Sequence, residues 1–424
     1  MKRLLNSLNN IWSFVILFAF LIVGLLLILP LYNIFVSSFI DNETGSFTLQ
    51  NYIDIIGKGY YRKAIYNSIF VGFSSMFGAL LIGIPLAFFT TRFKIRGKSV
   101  ISTLAILALV SPPFIGAYAW ITMLGSNGWL RHGFESIGIP MPTIYGPLGM
   151  IIVFSLKLYP FVYLLTSGAL SNINSSLEDA AESLGYPPFS KFIHVTLPLI
   201  LPAISTGALL AFVLSLADFG TPSIIGRDFR VLSTVAYNLF TSEMGGNPGL
   251  ASTVSILLIL VSLIFVYMQR IIIRNKDFGS DMLNPPEIKK LTRLTTIPVH
   301  FLCYFIVFLS SMPSLVVIYN SFRKTSGPVF QSGFGLDSYR RVINDVPDAI
   351  FNSFLFSVSA VILIVLCGTL IGYVVARKPS ILTGSLDSML MIPYIVPGVV
   401  LGLGFIVSFN SKPIVLTGTA IIII

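Results

Sequence analysis

Ser175-Ser176-Leu177-Glu178-Asp179-Ala180-Ala181-Glu182-Ser183-Leu184-Gly185 is a polar island between two long apolar runs. It reads as a short helix with both ends marked. Ser175 with Glu178 three residues on fits a capping box, and Ser176 with Asp179 offers the same pairing one residue later. Acids in the first turn suit the positive end of the helix dipole. Gly185 ends the helix, and Pro187-Pro188 stop it from resuming. A plain surface turn between membrane helices is the competing reading. Such connections are usually short, however, and spanning a bilayer does not call for a capped, alanine-faced helix. On its residues alone, the stretch is an exposed helix that binds something.

The flanking runs set the environment. Of the chain, 55% is hydrophobic and 10% charged, against about 25% charged in a soluble domain, and mean hydropathy is +0.88. The net charge of +10 comes from basic residues that flank apolar runs and form no continuous patch, which argues against a nucleic-acid partner. Cys303 and Cys367 both lie inside apolar runs and read as packing residues, not as a disulfide framework. The run 11–31 follows Met1-Lys2-Arg3 and supplies the roughly 20 apolar residues needed to cross a bilayer. It is too long for a signal-peptide core and reads as an uncleaved first span. Further spans are predicted at 67–90, 100–124, 146–170, 199–216, 250–270, 297–319, 351–376 and 386–409, with a last one opening near 414. Because the runs are continuously apolar, they are helices, whereas barrel strands alternate. The fold class is therefore an all-α polytopic membrane protein with about ten membrane helices. Counted near span ends, the Lys/Arg bias puts the amino terminus and residues 175–198 in the cytoplasm.

The string Asp179-Ala180-Ala181, Gly185 four residues after Ala181, then nine residues and Val195-Thr196-Leu197-Pro198 resembles the EAA loop of bacterial ABC-importer permeases. Asp179 stands where that family has Glu, and Val195 where it has Ile. The resemblance implies a cytoplasmic coupling helix that docks into a groove on an ATPase, with Glu178, Asp179, Ala180, Ala181, Gly185, Leu197 and Pro198 as the coupling residues. Ala180 and Ala181 would give a close-packing face and Gly185 the turn. The partners implied are a pair of ATP-binding ABC subunits, an extracytoplasmic solute-binding protein and membrane lipid. ATP and Mg would sit on the partner subunit, with no cofactor in this chain. The location implied is a bacterial plasma (inner) membrane, multi-pass, amino terminus cytoplasmic.

The chain also repeats itself. Phe47-Thr48-Leu49-Gln50-Asn51-Tyr52 parallels Phe334-Gly335-Leu336-Asp337-Ser338-Tyr339, Asn67-Ser68 parallels Asn352-Ser353, and Arg92 at the end of its span parallels Arg377. Both copies start inside, so the repeats are parallel, related by an axis along the membrane normal. The organisation expected is a first permease repeat at 1–275 with six membrane helices and the coupling loop 175–198. A cytoplasmic linker follows at 276–296, then a second, incomplete repeat at 297–424. Aligning Ile144 with Ile414 would place a second coupling loop about twenty-five residues past Ile424, so the second repeat is expected to be truncated before it.

Enzymatic readings find little support. Gly97-Lys98-Ser99 lacks the earlier glycine of a phosphate loop, whose position holds Arg92. His132, His194 and His300 are scattered and show no metal-ligand spacing, and no Ser-His-Asp set shares a local frame. The expectation is a transport subunit without catalytic or metal residues, driven by ATP hydrolysis elsewhere. Lys157 lies within a predicted span and is a functional candidate by that placement, with snorkelling along its aliphatic stem as the alternative. Asp218-Phe219-Gly220-Thr221-Pro222 resembles a segment common in ferric-iron-type fused permeases, near the outer gate; a helix-ending turn is the alternative. Lys157 and Asp218 are thus the candidate substrate-pathway residues. Pro85, Pro112, Pro113, Pro160, Pro393 and Pro397 mark either ordinary kinks or bent, pathway-lining helices. The expected function is the permease subunit of an ATP-driven importer that passes substrate from a binding protein to the cytoplasm. Ferric iron is the first candidate, with polyamine, thiamine or phosphonate as alternatives. A secondary transporter would be expected to show intramembrane acids for ion coupling, and a membrane scaffold would have no need of the spaced loop.

Overall fold

The computed structural model describes residues 11–242, 246–273, 287–327, 329–410, 415–416 and 418–419. The expectations resting on Lys2 and Arg3, on linker residues 276–286 and on most of the run from 414 lie outside the described residues. Among the described residues seven helices are long and apolar enough to cross a membrane: Trp12–Ser37, Gly59–Arg92, Pro147–Ser171, Pro188–Ala217, Pro248–Ile273, Arg293–Ser321 and Pro347–Arg377. In hydrocarbon every backbone polar group must be satisfied within the segment, and a helix does so wherever apolar residues run on unbroken.

Two predicted spans, 100–124 and 386–409, are not single helices. The pair Lys98–Val110 and Pro113–Ser136 is bent by 104°, and the pair Ile381–Tyr394 and Gly398–Phe409 by 108°. Proline is the cause: a residue before proline is pushed out of the α region. Ser111, before Pro112, accordingly has ψ 121°, and Pro112, before Pro113, has ψ 140°. At the second break Pro397, which has no N–H to continue a helix, is itself extended at ψ 138° before the last helix. With each bent pair counted as one, up to nine candidate spans lie among the described residues. The same order of elements occurs twice: a short helix, a long helix closed by arginine, then a bent pair. One addition to the all-α expectation is a small antiparallel ribbon, Arg323–Ser326 with Val329–Phe334.

By its contacts the chain divides into two units that do not follow the expected boundary at 276–296. One holds residues 59–234 and 260–318. Its centre is a tight seat of Gly59–Arg92, Pro147–Ser171 and Pro188–Ala217. A Cβ on Gly83 would lie 2.8 Å from the Val162 Cβ, and one on Gly207 would lie 2.8 Å from the Val162 Cα. Without a hydrophobic drive between helices in lipid, small residues at such crossings let backbones approach and gain dispersion contact. Phe154, Tyr159 and Tyr163 fill the core. Helix Arg293–Ser321, expected to open the second repeat, also packs here. Cys303 and Val307 are fully buried in this core, and the Ser310 hydroxyl lies 2.9 Å from the Tyr159 hydroxyl.

The other unit holds the residues before 59, residues 235–259 and those from Tyr319 on. Within it the first membrane helix packs on elements of the second sequence half. Asn33 Nδ2 donates to Ser408 Oγ at 2.9 Å, Trp12 stacks on Tyr373 at 4.7 Å, and a Cβ on Gly404 would lie 3.0 Å from Pro30. Ala19, Val23, Leu27 and Leu386 form its small buried cluster.

Candidate functional site

The polar island folds as the helix Ser175–Ser183, but its cap is not the one expected. Asn174, extended at ψ 118°, is the N-cap, and its side chain accepts from Ser176 N at 3.1 Å. Neither capping box is the one observed. Three adjacent residues can cap, and the choice falls on Asn174 because Glu178 faces away from the helix start. Its Oε1 accepts from Arg92 Nη2 and from Thr196 Oγ1, each at 2.7 Å. Arg92 closes the long helix Gly59–Arg92, and Thr196 lies in the π-helical turn Phe192–Thr196. One carboxylate thus ties the island to two membrane helices.

The carboxyl end of the helix is as expected in kind. Gly185 has φ +84°, Tyr186 N donates to Ala181 O at 3.1 Å, and Gly185 N donates to Glu182 O at 2.9 Å. These two bonds form the Schellman closure, which needs a left-handed residue and so favours glycine. Lys191 Nζ reaches back to Glu182 Oε2 at 2.6 Å. The hydrogen bond and charge of Lys191, with help from Lys289, hold the Glu182 carboxyl below its ordinary range. Leu197 and Pro198 sit in a helix continuous from Pro188, not in the loop. Pro198 has no N–H and its ring crowds the carbonyl four residues before it, which accompanies the wide π turn just upstream. His194 is exposed and its Nδ1 lies 2.9 Å from Ser190 O.

Residues 287–290 complete the surroundings. Lys289 N donates to Arg92 O at 2.9 Å, and Lys94 N donates to Lys289 O at 3.0 Å. A cavity of about 840 Å³ opens among these pieces, lined by Arg92, Glu178, Asp179, Glu182, Lys191 and Lys289 among others. Of the two alanines expected to form a packing face, Ala181 is buried and Ala180 is exposed. Much of the outward surface is apolar: Leu184 is 79% exposed and Phe189 76%, with Leu177, Tyr186 and Ile193 beside them. The helix is thus held from behind by Arg92, Thr196 and Lys191 and leaves an apolar surface on its other side.

The structure also joins the two pathway candidates that the sequence left apart. Lys157 Nζ lies 2.8 Å from Asp218 Oδ2, within the bundle. Asp218 Oδ1 accepts from Thr221 N at 2.8 Å, which makes it the turn between Leu197–Ala217 and Gly220–Ile225 as well. Sequence reasoning missed Asn174, Arg92 and Thr196 as partners of the site. The signal for Arg92 was present, because an arginine at the end of an apolar span needs a carboxylate if it is buried. Among the described residues no group of three or more His, Cys, Asp or Glu is placed to hold a metal ion.

Residues 79–277 match the family described as binding-protein-dependent transport system inner membrane component. The chain is 29% identical over 95% of its length to the ferric transport system permease protein FbpB of Actinobacillus pleuropneumoniae, and covers 59% of that protein. It is 28% identical, again over 95% of its length, to the putative ferric transport system permease protein FbpB 1 of Haemophilus influenzae, covering 65% of it. The chain therefore spans about three fifths of the length of these curated relatives. Its fold is similar to that of a chain in a crystal structure of a bacterial alginate ABC transporter in complex with an alginate pentasaccharide-bound periplasmic protein. There the TM-score is 0.55 at 18% identity, covering 66% of this chain and 100% of that one.

Proposed function

We propose that this chain, whose residues 79–277 match the family of binding-protein-dependent transport system inner membrane components, is the membrane-spanning subunit of an ATP-driven importer. The observation that carries the reading is the double bond of Glu178 to Arg92 and Thr196. A helix that merely turned the chain would need no fixed tie to two spans. One that transmits motion does, because a push on its outer face must reach the bundle without being absorbed by local flexing. Helix Ser175–Ser183 is the coupling helix in this reading. Leu184 and Phe189 are its contacts with a separate ATP-binding subunit, which carries ATP and Mg and performs hydrolysis. Asp179 and Ala180, both exposed, belong to the same contact face.

Cargo reaches the outer side on an extracytoplasmic binding protein, and ATP-driven closure of the partner pair rocks the bundle toward the cytoplasm. The amino terminus is cytoplasmic, which puts the coupling helix on the ATPase side. The cargo in this reading is ferric iron, the substrate named for two relatives that each align with 95% of this chain. Gly185→Asp tests the coupling role. It should abolish ATP-dependent uptake of radiolabelled iron in cells carrying the complete transporter, with the chain still inserted at normal abundance. Normal uptake by this variant would remove the coupling role.

A further inference from the structure

Two breaks in membrane helices meet beside one buried ion pair. The first is at Ser111-Pro112, between Lys98–Val110 and Pro113–Leu124. The second is at Asp218-Phe219, between Leu197–Ala217 and Gly220–Ile225. They touch: a Cβ on Gly220 would lie 3.0 Å from the Pro113 Cβ, and the Phe114 and Phe219 rings meet edge to face at 5.9 Å. Non-helical backbone at membrane depth is tolerated where protein buries it or where it lines a polar cavity. Here a cavity of about 30 Å³ lies at the meeting point, lined by Ser111, Pro112, Gly116, Trp120, Lys157 and Thr221 among others.

The polar groups at this cavity are hydroxyls, an indole N–H and one ammonium. Lys157 lines it, whereas Asp218 stands behind, its side chain 6% exposed and both its oxygens occupied by Lys157 and Thr221 N. Thr221 is 1% exposed, and its Oγ1 has no hydrogen-bond partner among the described residues. An orphaned buried hydroxyl costs stability unless a ligand or water meets it. Desolvating a lysine and an aspartate costs several kcal/mol per ion, and a helix turn needs no lysine. The cavity in this state has room for one or two waters, so cargo passes only when the breaks part. Of the residues that line the cavity, the charged one is Lys157.

We propose that Lys157 is the charge-selecting contact of the transport pathway, and that cargo passes it as an oxygen-rich anion and not as a bare cation. That anion is either a free oxyanion or ferric iron wrapped in oxyanion ligands. Lys157 and the Thr221 hydroxyl donate to its oxygens, while Asp218 holds the lysine in place. A bare multivalent cation at the same point meets like charge across a medium of low dielectric constant. The inference rests on the importer reading and names the charge class of its cargo.

The test is uptake through the complete transporter in cells. Three probes are used: radiolabelled iron as its citrate complex, the same complex labelled in the citrate, and radiolabelled phosphate. Entry of iron together with its citrate identifies the complex, and entry of phosphate alone identifies a free oxyanion; either supports the inference. Iron entering while its citrate stays outside overturns it, as does failure of all three probes. The exchange Lys157→Asp with Asp218→Lys keeps the ion pair but presents a carboxylate to the cavity. It should insert normally and lose uptake at least tenfold, while Lys157→Arg retains it. Should the exchanged chain fail to insert, Lys157→Met with Asp218→Asn removes both charges and decides the matter. Wild-type uptake by either double variant would mean that the pair is only a structural staple. That result would leave the importer reading intact, because the latter is tested separately at Gly185.

Discussion

The carboxylate of Glu178 lies 2.7 Å from the guanidinium of Arg92, across 86 positions of sequence. The two side chains are 15% and 10% exposed. A pair this sheltered is costly to break from one side, because the survivor keeps its charge without its partner, at about 3 kcal/mol or more. Arg92→Met should destabilise the purified protein by that order in denaturant unfolding. Adding Glu178→Gln should recover most of the loss while leaving uptake impaired. If the two losses simply add, the pair is not coupled and the tie between helix and span is not there.

Gly185 provides a cleaner backbone test. Nothing lies within 4 Å of where its Cβ would be, so Gly185→Ala meets no clash and costs only the left-handed conformation, about 1–2 kcal/mol. Gly185→Asn should cost less, since asparagine visits that region more readily. Hydrogen exchange at Leu184 to Tyr186 should quicken in the order Gly, Asn, Ala. Equal exchange in all three would show that the Schellman closure does not govern the end of the helix.

Gly83 and Gly207 should tolerate no added carbon of any size. Gly83→Leu would drive its side chain into Val162 and the Tyr159 carbonyl, already 2.9 Å from a bare Cβ. Overpacking of a tight core costs about 1–3 kcal/mol or more. Thermal unfolding in detergent should show a clear drop for Gly83→Leu and almost none for Gly133→Leu, where the space is open. Similar drops at both positions would mean the seat is not close-packed.

The Glu182–Lys191 contact has a pH signature. The folded carboxyl is held below its ordinary value of 4.5. Its contribution is therefore complete above that value and is lost as pH falls through the depressed one. Protection of the 182–191 backbone should weaken on acidification below about pH 4.5, and Lys191→Ala should move the step up toward the ordinary value. Both groups are near solvent, so salt should shrink the effect. Identical profiles for the parent chain and Lys191→Ala would discount the contact.

Much of this was legible in the residues, and what was not has a physical reason. The spans and the Gly185 stop follow from apolar run length and left-handed geometry, both local properties. The breaks at Pro112 and Pro397 were visible as prolines, but a bend of over 100° depends on what receives the outgoing helix. The N-cap was misread because Asn174, Ser175 and Ser176 are equivalent by type, and the choice is made by where Glu178 points. That in turn is fixed by Arg92, a long-range partner that no local pattern reports. Lys157 and Asp218 were each noticed and left unpaired for the same reason, being 61 positions apart. The first helix of each sequence half could not be assigned to its unit at all, since apolar stripes in lipid do not name their neighbours.

The most direct test of the coupling account is a crosslink from the coupling helix to the ATP-binding subunit. Ala181 is the wrong probe, because it is buried against the bundle; Leu184 at 79% exposure is the right one. A single cysteine at Leu184 should crosslink in membranes to a cysteine in the groove of the ATP-binding subunit, and one at Ala180 should do so as well. A cysteine at Ala181 should not. Absence of any crosslink from Leu184, with both subunits present and ATP-dependent uptake intact, would contradict the assignment of Ser175–Ser183 as the helix that receives the stroke.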